Sequence, residues 1–237
     1  MHDRAHPEGV TAVIGAMDEE LEALLDDLEE RREGSHGPFT VHFGRLEGRA
    51  VALARCGVGK VNAAALTQAV LTLGAVRLVF TGVAGALRPG LEVGDVVISK
   101  DAVQHDLDVR PLGYRLGEVP GETWSWEADP RLAELALAAA GELGGVRAVL
   151  GRVASGDVFV ADPARARALR DAFAADCAEM EGAAAAQVCA KWGVPFVIIR
   201  SISDTAGHDA EVDFRSFTPL AAARAKRVVS GILRRLP

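Results

Sequence analysis

Cys177-Ala178-Glu179-Met180-Glu181-Gly182-Ala183-Ala184 decides how the chain is read. Two carboxylates flank a methionine, and the residues after them are almost wholly apolar: Ala183 to Ala186, then Val188, Cys189 and Ala190. A helix built from those residues is buried on most of its surface, so Glu181 at its entrance is expected to point into a cavity. The helix dipole favours a carboxylate there by only ~0.3–1 kcal/mol, far less than desolvating a charge costs. Something else must want a charge in that place. Taken alone, the string is better explained as a helix-start acid beside a solvated partner, because short motifs recur by chance. Acids elsewhere in the chain change that balance.

Upstream, Val10 to Ala16 is a short run of β-formers, read as a buried strand. Met17-Asp18-Glu19-Glu20-Leu21 then opens a helix, with apolar residues at Leu21, Leu24, Leu25 and Leu28 and acids in its first turn. Gly34 to Pro38 reads as a turn, followed by strands at 40–46 and 50–55 joined by a hairpin at Glu47-Gly48-Arg49. Cys56-Gly57-Val58-Gly59-Lys60 leads into a helix over 61–73. It lacks the GxxxxGK[ST] spacing, so it is read as a tight glycine turn against a ligand rather than a triphosphate loop. A strand over 76–80 ends in Thr81-Gly82-Val83-Ala84-Gly85, whose glycines let the backbone line a pocket.

A further strand follows Leu91-Glu92-Val93-Gly94, and residues 101–127 read as a polar, aromatic excursion from the sheet. Helices are expected over 130–140 and 164–173, a strand over 149–154, and a strand-end loop over 155–162 that carries Phe159. After the Glu-Met-Glu stretch comes Pro195 to Ile199, an edge-to-core strand ending in Arg200-Ser201-Ile202-Ser203-Asp204; Phe214 opens a terminal helix. Strands alternate with helices throughout, so the class is α/β. A leader over residues 1–9 is expected to be disordered, and 10–237 to form a single domain.

The 237 residues suffice for one full core, and 49% hydrophobic with 25% charged residues is ordinary for a globular protein. A net charge of −7 gives no electrostatic reason to bind nucleic acid or anionic lipid. The three cysteines have no zinc-type spacing, and no apolar run approaches a membrane span; a cytoplasmic setting is expected. Of the six histidines only His2 and His6, both in the leader, stand four apart and the rest are scattered, so no metal and no cofactor are expected. Three acids stand at or just after apolar strand ends: Glu20, Glu181 and Asp204. Separated carboxylates of this kind suit proton transfers around a cation-like transition state, as in glycosyl hydrolysis.

Gly15-Ala16-Met17-Asp18-Glu19-Glu20, Gly57 to Ala64, Val93 to Val97, His105-Asp106 with Asp108-Val109, Ser155-Gly156-Asp157, Glu179-Met180-Glu181 and Ile202-Ser203-Asp204 occur in this order. As a set they resemble the bacterial 5′-methylthioadenosine/S-adenosylhomocysteine nucleosidases of the purine nucleoside phosphorylase type. The resemblance implies a three-layer α/β/α fold with a central mixed, twisted sheet, and a role in methionine salvage. It implies that Asp204 binds adenine and protonates its N7, Glu20 activates water, Glu181 holds the ribose hydroxyls and Arg200 lies close to both. Met180 would pack under the sugar, Phe159 stack on the base, and the backbone of Val160 read its edge, with Ser203 beside Asp204. Val58 and Phe214 would line the pocket for the 5′-thio group. Leu112 and Tyr114 match positions that complete a neighbour's pocket in a homodimer.

Val83 departs from the family, where many members have Ser or Thr; a hydroxyl near the sugar or water is lost. The loop also offers no arginine, and Asp18 to Glu20 would repel phosphate, so water is the expected nucleophile. Three other readings compete: a futalosine or aminofutalosine nucleosidase, a phosphorolytic enzyme, and a nucleoside-binding protein without turnover.

Overall fold

Strands and helices share the described chain, with β-forming runs that are mostly buried and six helices between or after them. A computed structural model describes residues 9–207 and 210–237, apart from the side chain of Val212; residues 1–8 of the expected leader lie outside the described residues. The elements run β1 (Val10–Gly15), α1 (Asp18–Asp26), β2 (Glu29–His36), β3 (Phe39–Leu46), β4 (Arg49–Arg55), α2 (Lys60–Thr72), β5 (Ala75–Ala86), β6 (Val96–Gln104), β7 (Trp126–Glu127), α3 (Pro130–Gly141), β8 (Ala148–Ser155), α4 (Pro163–Phe173), β9 (Cys177–Glu179), α5 (Gly182–Trp192), β10 (Phe196–Asp204) and α6 (Ala210–Arg235). No described helix is long and apolar enough to cross a membrane. Cys56, Cys177 and Cys189 are buried free thiols.

Successive side chains of a strand point to opposite faces, and the central strands use both. Ile14, Phe80 and Ile198 enter one core with Leu66, Val70 and Ala183 from α2 and α5. Their neighbours Val13, Val79 and Ile199 enter a second core with Leu24, Leu132, Val228 and Ile232 from α1, α3 and α6. Each fully buried Ile, Val or Leu contributes about 1.5–3 kcal/mol, so helices are required on both faces and three layers result. The sheet is mixed, in the order β10-β6-β8-β9-β5-β1-β4-β3-β2. Strand β10 also pairs in parallel with β5, which closes β10, β6, β8, β9 and β5 into a ring.

Several boundaries differ from the sequence expectation. Residues 34–36 belong to strand β2, which pairs antiparallel with β3; both faces of β2 are largely exposed, so no apolar alternation marks it. Strand β5 runs through Gly82 and Gly85 to Ala86 rather than stopping at Phe80, and β6 extends to Gln104, shortening the excursion. Strand β10 is no edge: it is buried along its whole length between β5 and β6. The hairpin between β3 and β4 turns on two residues, Glu47 (φ +51°) and Gly48 (φ +74°), the left-handed pair that matches strand twist. Helix α6 begins at Ala210, ahead of Phe214.

Candidate active site

The C-terminal ends of the ring strands carry the polar groups, where ligands bind in open α/β sheets. Arg200 on β10 is fully buried, opposite Gly82 on β5. A Cβ on Gly82 would collide with Arg200 Nη1 and come within 2.7 Å of Glu20 Oε1, so the bare glycine makes room for both groups. The Arg200 guanidinium lies 4.8 Å from the Phe80 ring centroid and bonds Glu179 through Nη2. Its Nη2 also lies 3.6 Å from Glu181 Oε2.

Glu20 sits in the first turn of α1, 3% exposed, with its carboxylate turned back. Oε2 accepts from the Ala16 and Met17 amides at 2.6 and 3.0 Å, and Oε1 from the Val83 amide at 3.1 Å. Burial raises its proton affinity, although the Arg200 charge and these amides favour the ionised form. Glu181, the N-cap residue of α5, accepts from the Gly59 amide at 2.8 Å. Burial first, then neighbouring Glu179, push its carboxyl above the ordinary range against Arg200 and Gly59. One guanidinium therefore faces three buried carboxylates, and in this setting Glu20 and Glu181 bind protons more tightly than in water.

Asp204 ends β10 and is 2% exposed. Its Oδ1 accepts from the Ala206 amide at 2.8 Å and its Oδ2 from Ser203 Oγ at 3.0 Å. Burial lifts its carboxyl above the usual aspartate value. It lines a cleft with Gly85, Phe159, Val160, Glu179 and Met180. Phe159 is 44% exposed and meets Phe214 edge to face, with centroids 5.6 Å apart. The cleft thus offers an acid of raised proton affinity beside an accessible aromatic face, while Glu179 joins its wall to the arginine cluster.

The structure brings Glu20, Glu181 and Arg200 together, and Asp204, Phe159, Val160 and Met180 around one cleft. Ser203 is buried beside Asp204, and Val83 is buried behind the amide that holds Glu20. Val58 is half exposed. Leu112 is 72% exposed on a single 3₁₀ turn, and Tyr114 is half-buried; neither lines the cleft of this chain.

Sequence reading gave Glu179 and Ser155 no role. Glu179 pairs with Arg200, accepts from Ser155 Oγ, and accepts from the amides of Glu181 and Gly182 at 3.1 and 2.8 Å. It both caps α5 and fixes the arginine. The available signal was the strand-to-helix change inside Glu179-Met180-Glu181, which turns residues two apart towards a common centre. Among the described residues no group of three or more His, Cys, Asp or Glu is placed to hold a metal ion.

The phosphorylase superfamily model matches residues 10–234. A 5′-methylthioadenosine/S-adenosylhomocysteine nucleosidase of Geobacillus thermodenitrificans is 44% identical, covering 94% of this chain and 95% of its own. The nucleosidase of that name from Neisseria meningitidis, solved with methylthio-immucillin-A, superposes with a TM-score of 0.93 at 39% identity, over 96% of this chain and 99% of that one. A futalosine hydrolase of Helicobacter pylori superposes with the same TM-score at 31% identity, over 98% and 100%. Sequence and fold therefore agree with the polar geometry of the site: the chain belongs to the phosphorylase superfamily and, within it, to the 5′-methylthioadenosine/S-adenosylhomocysteine nucleosidases.

Proposed function

We propose that this protein hydrolyses the N-glycosidic bond of 5′-methylthioadenosine and S-adenosylhomocysteine, releasing adenine and the 5′-thioribose product. The observation that carries the reading is Asp204, a buried acid of raised proton affinity in the cleft that also holds Phe159, Val160 and Met180. An adenine anion is a poor leaving group; protonation at N7 by Asp204 makes it neutral as the bond breaks. Phe159 stacks on the base, the Val160 backbone reads its edge, and Met180 packs under the sugar. Glu181 holds the ribose hydroxyls. Glu20, held by three amides beside Arg200, takes the proton of the attacking water, while Val58 and Phe214 bound the 5′ substituent.

Water rather than phosphate is the nucleophile on this reading. A phosphate dianion needs uncommitted cations, but Arg200 is engaged by Glu179, and Lys60 Nζ by Asp106 and Gln104 at 2.5 and 3.0 Å. Adenine release from methylthioadenosine is expected to proceed at full rate in phosphate-free buffer. Absolute dependence on phosphate, with a ribose 1-phosphate product, would overturn the assignment. Aminofutalosine belongs in the same assay, because a futalosine hydrolase shares the fold; a higher kcat/KM on it would move the chain to that substrate.

The proposal includes a homodimer in which Leu112 and Tyr114 of one copy complete the other's 5′ pocket. Support comes from the exposure of apolar Leu112, and from Val58 and Val61, 51% and 79% exposed in the single chain. Sedimentation is expected to give twice the chain mass at micromolar concentration, and a monomer throughout would remove this part of the reading.

A further inference from the structure

Behind the residues that would touch the nucleoside, a closed ring of hydrogen bonds joins three loops. The backbone N–H of Lys60, the first residue of α2, donates to Asp157 Oδ1 at 2.8 Å. The Asp157 N–H donates to Asp106 Oδ2 at 2.8 Å, and Asp106 Oδ1 accepts from Lys60 Nζ at 2.5 Å. Lys60 Nζ also donates to Gln104 Oε1, whose own amide donates to Gln187 of α5 at 2.7 Å. The Lys60 and Asp106 side chains are only 17% and 20% exposed, so water screens this pair less than an open surface pair.

Two of the three loops tied by the ring bear groups of the site. Gly59, next to Lys60, presents the amide that Glu181 accepts. Phe159 and Val160 follow closely on Asp157. Gly57 and Gly59 hold φ of +84° and +101°, a region open to glycine, and Asn62 Nδ2 donates to the Val58 carbonyl at 2.7 Å between them. Asp157 and Asp106 add the ties that link this loop to the other two. Burial works to raise the Asp106 carboxyl, but Lys60 and the Asp157 amide outweigh it and keep it ionised.

We propose that Lys60, Asp106 and Asp157 form a clamp that sets the Gly59 amide against Glu181 and fixes the loop bearing Phe159. All three are then positioning residues for nucleoside binding. This rests on Glu181 being the ribose-binding carboxylate.

The test compares Lys60→Met, Asp106→Asn, the double variant and Lys60→Arg by amide hydrogen exchange and by steady-state adenine release. In each of the first two, peptides over residues 57–62 and 155–160 exchange roughly tenfold faster, the loss expected for one charged hydrogen bond, while α3 peptides do not change. The KM for methylthioadenosine rises by about the same factor with a smaller change in kcat. The double variant is no worse than the worse single one, and Lys60→Arg recovers part of the loss. Unchanged exchange in the two loops, an unchanged KM, or additive single effects overturn the clamp. If the unmodified protein releases no adenine from any nucleoside, the functional reading fails, and the exchange data still decide the clamp.

Discussion

Asp204→Asn is expected to lower the rate of adenine release by about 10²–10⁴-fold, the range lost with a general acid, without unfolding the protein. Asparagine keeps the shape, and its carbonyl still accepts from the Ala206 amide. The Ser203 hydroxyl, which donates to Oδ2 in the native side chain, can rotate to accept from the new amide. What disappears is the proton. The native profile should fall on its alkaline side as Asp204 ionises, because burial has moved that ionisation upward from the ordinary aspartate range. In Asp204→Asn that limb is lost while KM changes little. Stopped assays of free adenine across pH, with circular dichroism to check folding, decide it. Activity within tenfold of the native rate would remove Asp204 from the role of acid.

Arg200→Met is the substitution with the largest expected effect on stability, about 3–5 kcal/mol at neutral pH. It takes the guanidinium from among Glu20, Glu179 and Glu181 and leaves buried carboxylates without a counter-charge. The penalty depends on pH in a defined sense. Glu20 and Glu181 already bind protons more tightly in the folded chain than their ordinary value of 4.5. The folded state therefore carries more protons than the unfolded one, and stability falls as pH rises from that value through the raised folded ones. Without Arg200 the folded carboxylates bind protons more tightly still, which widens the window upward. Urea denaturation should find the variant closest to the native protein near pH 5 and furthest from it near pH 8. An equal deficit at both values would mean that packing over Phe80, and not charge, is what Arg200 supplies.

The legibility of these features in the sequence followed their physics. Val13, Ile14, Val79 and Ile198 announced buried strands because a strand covered on both faces is apolar without interruption. Glu181 and Asp204 could be singled out because an acid next to such a run needs a reason to be there. Gly82 and Gly85 were harder to read: within one dimension a glycine signals a loop, whereas here each lies within strand β5 and vacates space for Arg200 or Asp204. Strand β9 is three residues long, too short for any periodicity, so the closure of the ring through it could not be read. The part played by Glu179 was hidden for the same reason, since its direction depends on where β9 ends and α5 begins.

That closure bears on how the molecule behaves in a crowded solution. A sheet that meets itself at one end has no ladder to offer there, so among the described strands of the main path β2 is left as the free margin. Glu29, Glu30, Arg31, Arg32 and Glu33 crowd that margin with mixed charge, and a bulge between Glu29 and Arg32, with Glu30 at φ +51°, bends it out of register. Another chain seeking to extend the sheet would have to bury those charges against a misaligned template. Protection from fibre-like aggregation is thus built at the far side of the fold from Arg200, by the least apolar of the described strands.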